Sequence, residues 1–208
     1  ISIAKDGSCS GLQHFSAALR DPIGGNAVNL IPAEEPQDIY QCVIDLAIAK
    51  IKADVGGEKD KFAQAWLGYN LSRKAAKRCT MTFVYGAKQH SFVKFVLEYV
   101  NDTDAKRKQE NQNYVSSIDG IEFDACVYLA RKISASIDET VIAAKAGMDW
   151  LRMCARTLAL ENLPITWTTF DGFPVMQSYP DTRRKSVKTK LGDKMVYLSL
   201  REDKNGRM

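Results

Sequence analysis

The sequence of 208 residues predicts a mainly helical α+β fold. A short apolar run precedes the first helix pattern, and helical periodicity then dominates residues 10–160. Strand patterns return only beyond Pro164, and the last two look like a hairpin. The order of a little β, much α and then β again indicates a mainly helical domain set into a larger sheet protein.

The first elements are predicted from short local signals. Ile1–Asp6 predicts a strand, and Ser8 or Ser10 would cap the helix that follows. Pro22 and Gly24–Gly25 then predict the end of this helix, because both residue types interrupt helices. A strand, a sharp turn and a helix would therefore carry Asp6.

The central helices are predicted from apolar faces with a helical period. Pro36 suits the start of a helix that ends near Gly56–Gly57, and the polar stretch Asn101–Asn113 separates two later helices. The last helix would break near Ser136–Asp138 or Gly147. The other predicted helices are Phe62–Trp66, Leu71–Tyr85, Ser91–Val100 and Phe123–Leu160.

The C-terminal part predicts β structure. Ile165–Phe170 and Phe173–Gln177 have strand character, and Val187–Leu191 and Met195–Leu200 flank the turn residues Gly192–Asp193. The sequence therefore predicts a hairpin over residues 187–200.

Composition narrows the class of protein. Apolar residues make up 45% of the chain, and no run approaches the roughly 20 apolar residues of a membrane span, so we expect no membrane partner. The five cysteines are widely spaced without a C-x-x-C pair, which argues against a disulfide framework and against a zinc site.

Basic residues are concentrated in two segments although the formal charge is only +4. Leu71–Lys94 contains six basic residues and no acidic one, and Arg183–Lys194 contains six against the single Asp193. Such segments suit phosphate-bearing partners, although many basic runs are simply solvated faces.

The predicted helix Leu71–Tyr85 carries a connected stripe of functional side chains. Arg73, Lys77, Met81 and Tyr85 recur every four residues. An arginine and a lysine one turn apart can hold phosphates, a thioether can cover a flat ring, and a phenol can hydrogen-bond. The order of the stripe therefore matches a nucleoside triphosphate from its phosphates to its sugar and base, and Gly86 lets the backbone approach a ligand. The alternative is an ordinary amphipathic helix whose basic face is solvated.

Asp6 is a candidate metal ligand. A carboxylate at a strand end, beside the carbonyl of Gly7, suits Mg²⁺, which prefers oxygen ligands. A two-metal site needs a second carboxylate. Asp171 precedes a glycine as Asp6 does, but its pattern favours a turn.

One motif near the start of the chain also fits a different class of enzyme, a cysteine hydrolase. Gly7–Gly11 fits G-x-C-x-G, the cysteine form of a nucleophile elbow, with Cys9 as the nucleophile. Such a hydrolase needs a histidine base. His14 would point away from Cys9 on the same helix, which leaves His90 as the candidate.

Four blocks occur in order over nearly the whole chain: DGSCSGLQHFSAALRD, GGNAVNL with PQDIY, SRKAAKRCTMTFVYGAK, and W-x-x-x-DGFPV. Together they resemble the single-subunit DNA-directed RNA polymerases of bacteriophages and mitochondria. Met81 and DGSCSG favour RNA synthesis over the DNA polymerase I relatives. Ser10 and Phe15-Ser16 look more like the phage enzymes.

The resemblance implies roles for individual residues. Asp6 would bind catalytic Mg²⁺ with the Gly7 carbonyl, and Arg73 and Lys77 would hold the triphosphate. Lys77 would also donate a proton to the leaving pyrophosphate. The nucleotide site would further include Met81, Tyr85 as the sensor of the ribose 2′-hydroxyl, Gly86, and Tyr40 as a support.

The family layout implies a palm and fingers portion of a right-hand polymerase fold. Residues 1–29 would be palm, and residues 30–208 would be fingers, including the nucleotide-binding helix 71–85 and the basic hairpin 187–200. The family's second metal-binding aspartate, in a His-Asp-Ser motif, is absent from this sequence. We therefore expect a fragment or one part of a split enzyme, inactive alone.

The implied partners are a DNA template and promoter, nascent RNA, ribonucleoside triphosphates, and the remaining polymerase segments in the same or another chain. The expected location is the cytoplasm of a phage host, ahead of the mitochondrial matrix. The alternative function is a non-catalytic nucleic-acid-binding subunit or remnant that retains the fold and the basic faces.

Overall fold

The computed structural model of the chain describes residues 7–161, 163–178, 181–188 and 195–202. These residues form eight helices followed by two antiparallel hairpins, which confirms the predicted mainly helical α+β fold. The chain divides into two compact units, Ile1–Met148 and Asp149–Met208. The strand predicted at Ile1–Asp6 lies outside the described residues. The helices are α1 (Ser10–Ala18), α2 (Pro22–Ala27), α3 (Ile39–Lys52), α4 (Asp60–Tyr69), α5 (Arg73–Phe83), α6 (Gln89–Glu110), α7 (Glu122–Thr140) and α8 (Ile142–Leu160).

The prediction that Pro22 and Gly24–Gly25 only end a helix was incomplete, because these residues form α2. The Asp21 side chain accepts a hydrogen bond from the backbone N–H of Ile23 at 3.0 Å, and Pro22 occupies the first turn. Proline lacks the N–H that would be unpaired there. Helix α1 already ends at Ala18, ahead of Arg20 with its left-handed φ of 53°, so Pro22 starts α2 rather than ending α1.

The prediction that the polar stretch Asn101–Asn113 separates two helices was mostly wrong, because α6 continues to Glu110. Tertiary contacts stabilise this polar extension. The hydroxyl of Tyr69 donates to Asp104 at 2.7 Å, and Arg107 donates to the Tyr69 carbonyl at 2.8 Å. The break expected near Ser136–Asp138 or Gly147 falls between these positions, at Val141.

The core of the first unit is built around α3 and α7. Val43 and Ile44 of α3 and Leu129 and Ile133 of α7 are completely buried. Trp66 of α4 is also buried, and its indole N–H donates to the Ala125 carbonyl at 2.8 Å. This hydrogen bond joins α4 to the start of α7.

We expect Trp66→Phe to lower the free energy of unfolding by about 1–3 kcal/mol, because it removes a buried hydrogen bond to the Ala125 carbonyl and part of the volume of a buried side chain. Urea unfolding followed by circular dichroism measures the change. Trp150→Phe is the control, since Trp150 is 59% exposed. Equal stability of the two variants would contradict the role of the hydrogen bond.

The second unit contains the predicted β structure. Strand β1 (Ile165–Thr168) pairs with β2 (Pro174–Gln177) in register Ile165↔Gln177. Strand β3 (Asp181–Lys188) pairs with β4 (Met195–Glu202), and Val187 lies opposite Val196. The predicted C-terminal hairpin is confirmed, although β3 begins earlier than expected, at Asp181. Residues 189–194, including the predicted turn, lie outside the described residues.

None of the helices within the described ranges is long and apolar enough to cross a membrane.

Candidate functional site

A cleft of about 490 Å³ opens within the first unit. Its wall combines the start of α1, the segment that leads into α3, and one side of α5. Five of the predicted site residues line it together: Gly7, Tyr40, Arg73, Lys77 and Met81. The fold therefore brings three separate sequence blocks to one surface.

Helix α5 presents its basic stripe to this cleft because its opposite face is buried. Ala76 and Cys79 are completely buried in the core, whereas Met81 is 41% exposed. The helix ends at Phe83, and Gly86 follows with φ +88°, a left-handed conformation that favours glycine. The predicted helix Leu71–Tyr85 is thus confirmed with slightly shorter bounds.

Tyr40 forms a platform beneath the two cations of the stripe. The guanidinium carbon of Arg73 lies 5.5 Å from the centre of the Tyr40 ring, and Nζ of Lys77 lies 5.9 Å from it. The face of an aromatic ring attracts cations at such distances. Tyr40 therefore holds the two positive charges next to each other, facing the cleft.

Asp38 is a site residue that the sequence interpretation missed. Its Oδ1 accepts hydrogen bonds from the backbone N–H groups of Tyr40 at 3.0 Å and Gln41 at 3.2 Å, which caps α3. Its Oδ2 forms an ion pair with Nη1 of Arg73 at 3.0 Å. An aspartate just before an apolar helix signals a cap, but no local pattern signals the ion pair with a distant helix.

Cys9 and Tyr40 are buried residues that both line the cleft. Burial and the hydrogen bond between the two side chains raise the pKa of Tyr40, and burial raises the pKa of the Cys9 thiol. Both groups are therefore neutral near pH 7. Cys9 has the left-handed φ of 61° that a nucleophile elbow would use, but a raised thiol pKa opposes activation. The site does not support the hydrolase interpretation.

Tyr85 and Gly86 are not among the described residues that line the cleft. Tyr85 lies just beyond α5 and is 74% exposed. A Cβ atom placed on Gly11 would lie 3.2 Å from the Tyr85 hydroxyl and only 2.4 Å from Cγ2 of Val84. Glycine at position 11 therefore permits the close approach of α1 to the end of α5.

The predicted metal ligands are only partly described. Gly7 lines the cleft, whereas Asp6 lies outside the described residues. Within the described ranges, no group of three or more histidine, cysteine or acidic residues could hold a metal ion.

A second cleft, of about 510 Å³, lies on another side of α5. Lys74 and Arg78 line it, and Arg78 forms an ion pair with Glu98. The guanidinium carbon of Arg78 also lies 4.3 Å from the centre of the Phe95 ring. The basic residues of α5 therefore face two different surfaces.

Comparisons with known proteins agree with the sequence resemblance. The family model for DNA-dependent RNA polymerase matches residues 1–207. The DNA-directed RNA polymerase of Enterobacteria phage T3 is 36% identical over 95% of the chain and 25% of its own length. T7 RNA polymerase of Escherichia phage T7 is 36% identical over 92% of the chain and 24% of its length.

Organellar enzymes are similar as well. DNA-directed RNA polymerase 2, chloroplastic/mitochondrial, of Arabidopsis thaliana is 34% identical over 92% of the chain and 18% of its length. The chain thus spans about a quarter or less of these three relatives. Because the family model covers almost every residue, the chain belongs to the DNA-dependent RNA polymerase family.

Proposed function

We propose that this chain supplies the nucleotide site, and half of the metal site, of a polymerase that makes RNA on a DNA template. The observation that carries the proposal is the shared cleft of Gly7, Tyr40, Arg73, Lys77 and Met81. Two cations over one aromatic ring form a site for a chain of phosphates, and Met81 adds apolar surface beside them.

In this proposal, residues 1–29 belong to the palm and residues 30–208 to the fingers. The close contact at Gly11 supports a continuous surface between the two parts, because it joins the start of α1 to the end of α5. The basic hairpin 187–200 belongs to the proposed fingers portion.

Arg73 and Lys77 hold the triphosphate in this mechanism. The 3′-hydroxyl of the RNA loses its proton to water as its oxygen forms a bond to the α-phosphorus, and the bond from that phosphorus to the oxygen that bridges to the β-phosphate breaks. The ammonium of Lys77 donates a proton to the departing pyrophosphate, which stabilises the charge that develops there. Tyr40 keeps the ammonium near the phosphates.

Asp6 and the Gly7 carbonyl would hold Mg²⁺, since both are oxygen ligands of the kind that this ion prefers. When bound, the metal supplies positive charge to the reacting phosphoryl group. The second carboxylate would come from another polymerase segment.

The proposed partners are a DNA template and promoter, nascent RNA, ribonucleoside triphosphates and the remaining polymerase segments. The names of the relatives include phage and organellar enzymes. The proposed location is the cytoplasm of a phage host, ahead of a mitochondrial matrix.

Extension of an RNA primer on a DNA template by the complete polymerase tests the proposed function. Addition of the templated ribonucleotide, with release of pyrophosphate, would support it. Binding of the nucleic acid without extension would instead support the alternative of a non-catalytic subunit or remnant.

We expect Tyr85→Phe to retain nearly normal use of ribonucleotides and to relax discrimination against deoxynucleotides at least ~10-fold. A site that hydrogen-bonds the ribose 2′-hydroxyl rejects the deoxynucleotide, because a polar group of the site is then left unpaired. A tenfold change in this discrimination corresponds to ~1.4 kcal/mol. Tyr85 is 74% exposed at the end of α5, and its hydroxyl lies close to Gly11 of α1, beside the proposed palm portion.

Single-nucleotide extension with matched ribo- and deoxynucleotides measures this ratio. Tyr99→Phe is the control, because the Tyr99 hydroxyl lies 3.3 Å from Ser72 Oγ in the second cleft. An unchanged ratio for Tyr85→Phe would exclude sugar sensing by this hydroxyl.

A further inference from the structure

We propose that Asp38 is a positioning residue that aims Arg73 at the triphosphate. The inference rests on the proposed function, because it concerns the same cleft. Asp38 is not one of the basic, aromatic or metal-binding side chains assigned to that site. It acts through Arg73 rather than by touching the substrate.

The carboxylate of Asp38 is itself held in place. Oδ1 accepts two backbone hydrogen bonds at the start of α3, so the side chain is fixed to a helix end. Oδ2 then lies 3.0 Å from Nη1 of Arg73. One edge of the guanidinium is therefore anchored to a rigid group.

Tyr40 restricts the same guanidinium from a second direction. The ring centre lies 5.5 Å from the guanidinium carbon, and Tyr40 itself is buried. Arginine has a planar fork of five donors, so an anchor on one edge leaves the other donors available. Ordering Arg73 before substrate arrives lowers the entropy lost on binding.

The negative charge of Asp38 would by itself repel an anionic substrate and so weaken binding. Arg73 neutralises this carboxylate, and the two side chains are 48% and 34% exposed, so water and salt screen the remaining repulsion. Lys77 has no ion-pair partner among the described residues and adds a further positive charge. Positioning should therefore outweigh repulsion.

Two substitutions separate positioning from capping. Asparagine and serine cap helices about as well as aspartate, so Asp38→Asn and Asp38→Ser retain the cap but lose the ion pair. Equal thermal midpoints for both variants and the parent would show that α3 is intact. We expect the Kd for the incoming ribonucleoside triphosphate to rise about three- to tenfold, with the maximal rate of addition within about twofold.

Rapid-quench measurements of single-nucleotide addition by the complete polymerase give Kd and maximal rate separately. Arg73→Ala and the double variant Asp38→Asn/Arg73→Ala complete the cycle. We expect Asp38→Asn to add nothing once Arg73 is absent. Tighter binding or unchanged Kd in Asp38→Asn, or a full effect in the double variant, would overturn the inference.

The same cycle tests the proposed function separately. If Arg73→Ala left the Kd unchanged, Arg73 would not hold the triphosphate, and the proposed nucleotide site would be wrong. If Arg73→Ala raised the Kd while Asp38→Asn did not, only the role of Asp38 would be rejected.

Discussion

Asp6→Asn in the complete polymerase should abolish nucleotide addition while leaving DNA binding nearly intact. The substitution removes a negative charge that the catalytic metal needs, and it changes none of the basic residues that neutralise DNA phosphates. Single-nucleotide extension and DNA binding at two salt concentrations measure the two properties independently.

Asp171→Asn is the matched control, because Asp171 also precedes a glycine. It lies in the turn between β1 and β2, where Thr169 donates a hydrogen bond to its side chain and thereby lowers the pKa of Asp171. Gly172 follows with φ +86°. Extension by Asp6→Asn at more than a few per cent of the parent rate would refute the metal assignment, as would equal losses in the two variants.

Lys77→Ala should slow the chemical step about 100-fold and also weaken binding of the triphosphate. A charge-stabilising donor in a transition state is typically worth about 3 kcal/mol. Lys77 qualifies because it lines the cleft and lies over the Tyr40 ring without an ion-pair partner among the described residues. Rapid-quench kinetics over a range of triphosphate concentrations give the rate and the affinity.

Lys74→Ala controls for the loss of one positive charge from α5. Lys74 belongs to the same helix but lines the second cleft. We expect it to retain the rate of the chemical step within a few-fold. If Lys77→Ala altered only the salt dependence of DNA binding, Lys77 would contact the phosphate backbone of the DNA and would not be a proton donor.

The fold was predictable where local signals and periodicity agree. The apolar face of α3 is an example, since Ile39, Val43 and Ile51 recur at helical spacing and are all buried. The extension of α6 was not predictable in this way. Its polar residues lack an apolar stripe, and the contacts that hold Asp104 and Arg107 come from other parts of the chain.

The candidate site was predictable to a similar extent. The spacing of Arg73, Lys77 and Met81 on one helix placed them on one surface, and the structure brings Tyr40 to them. The spacing also placed Tyr85 on the stripe, but α5 ends at Phe83, and Tyr85 is not among the residues that line the cleft. The ion pair with Asp38 depends on how α3 packs against α5, which no local pattern encodes.

The two oxygens of Asp38 link the backbone of one helix to a side chain of another. If the first turn of α3 frays, the carboxylate loses its fixed position and Arg73 loses its anchor in the same event. The amide protons of Tyr40 and Gln41, which bond to Oδ1, should therefore exchange with heavy water faster in any state in which the carboxylate has left its position beside Arg73. Hydrogen exchange at these two amides therefore measures how often Arg73 loses its anchor on Asp38 in the absence of substrate.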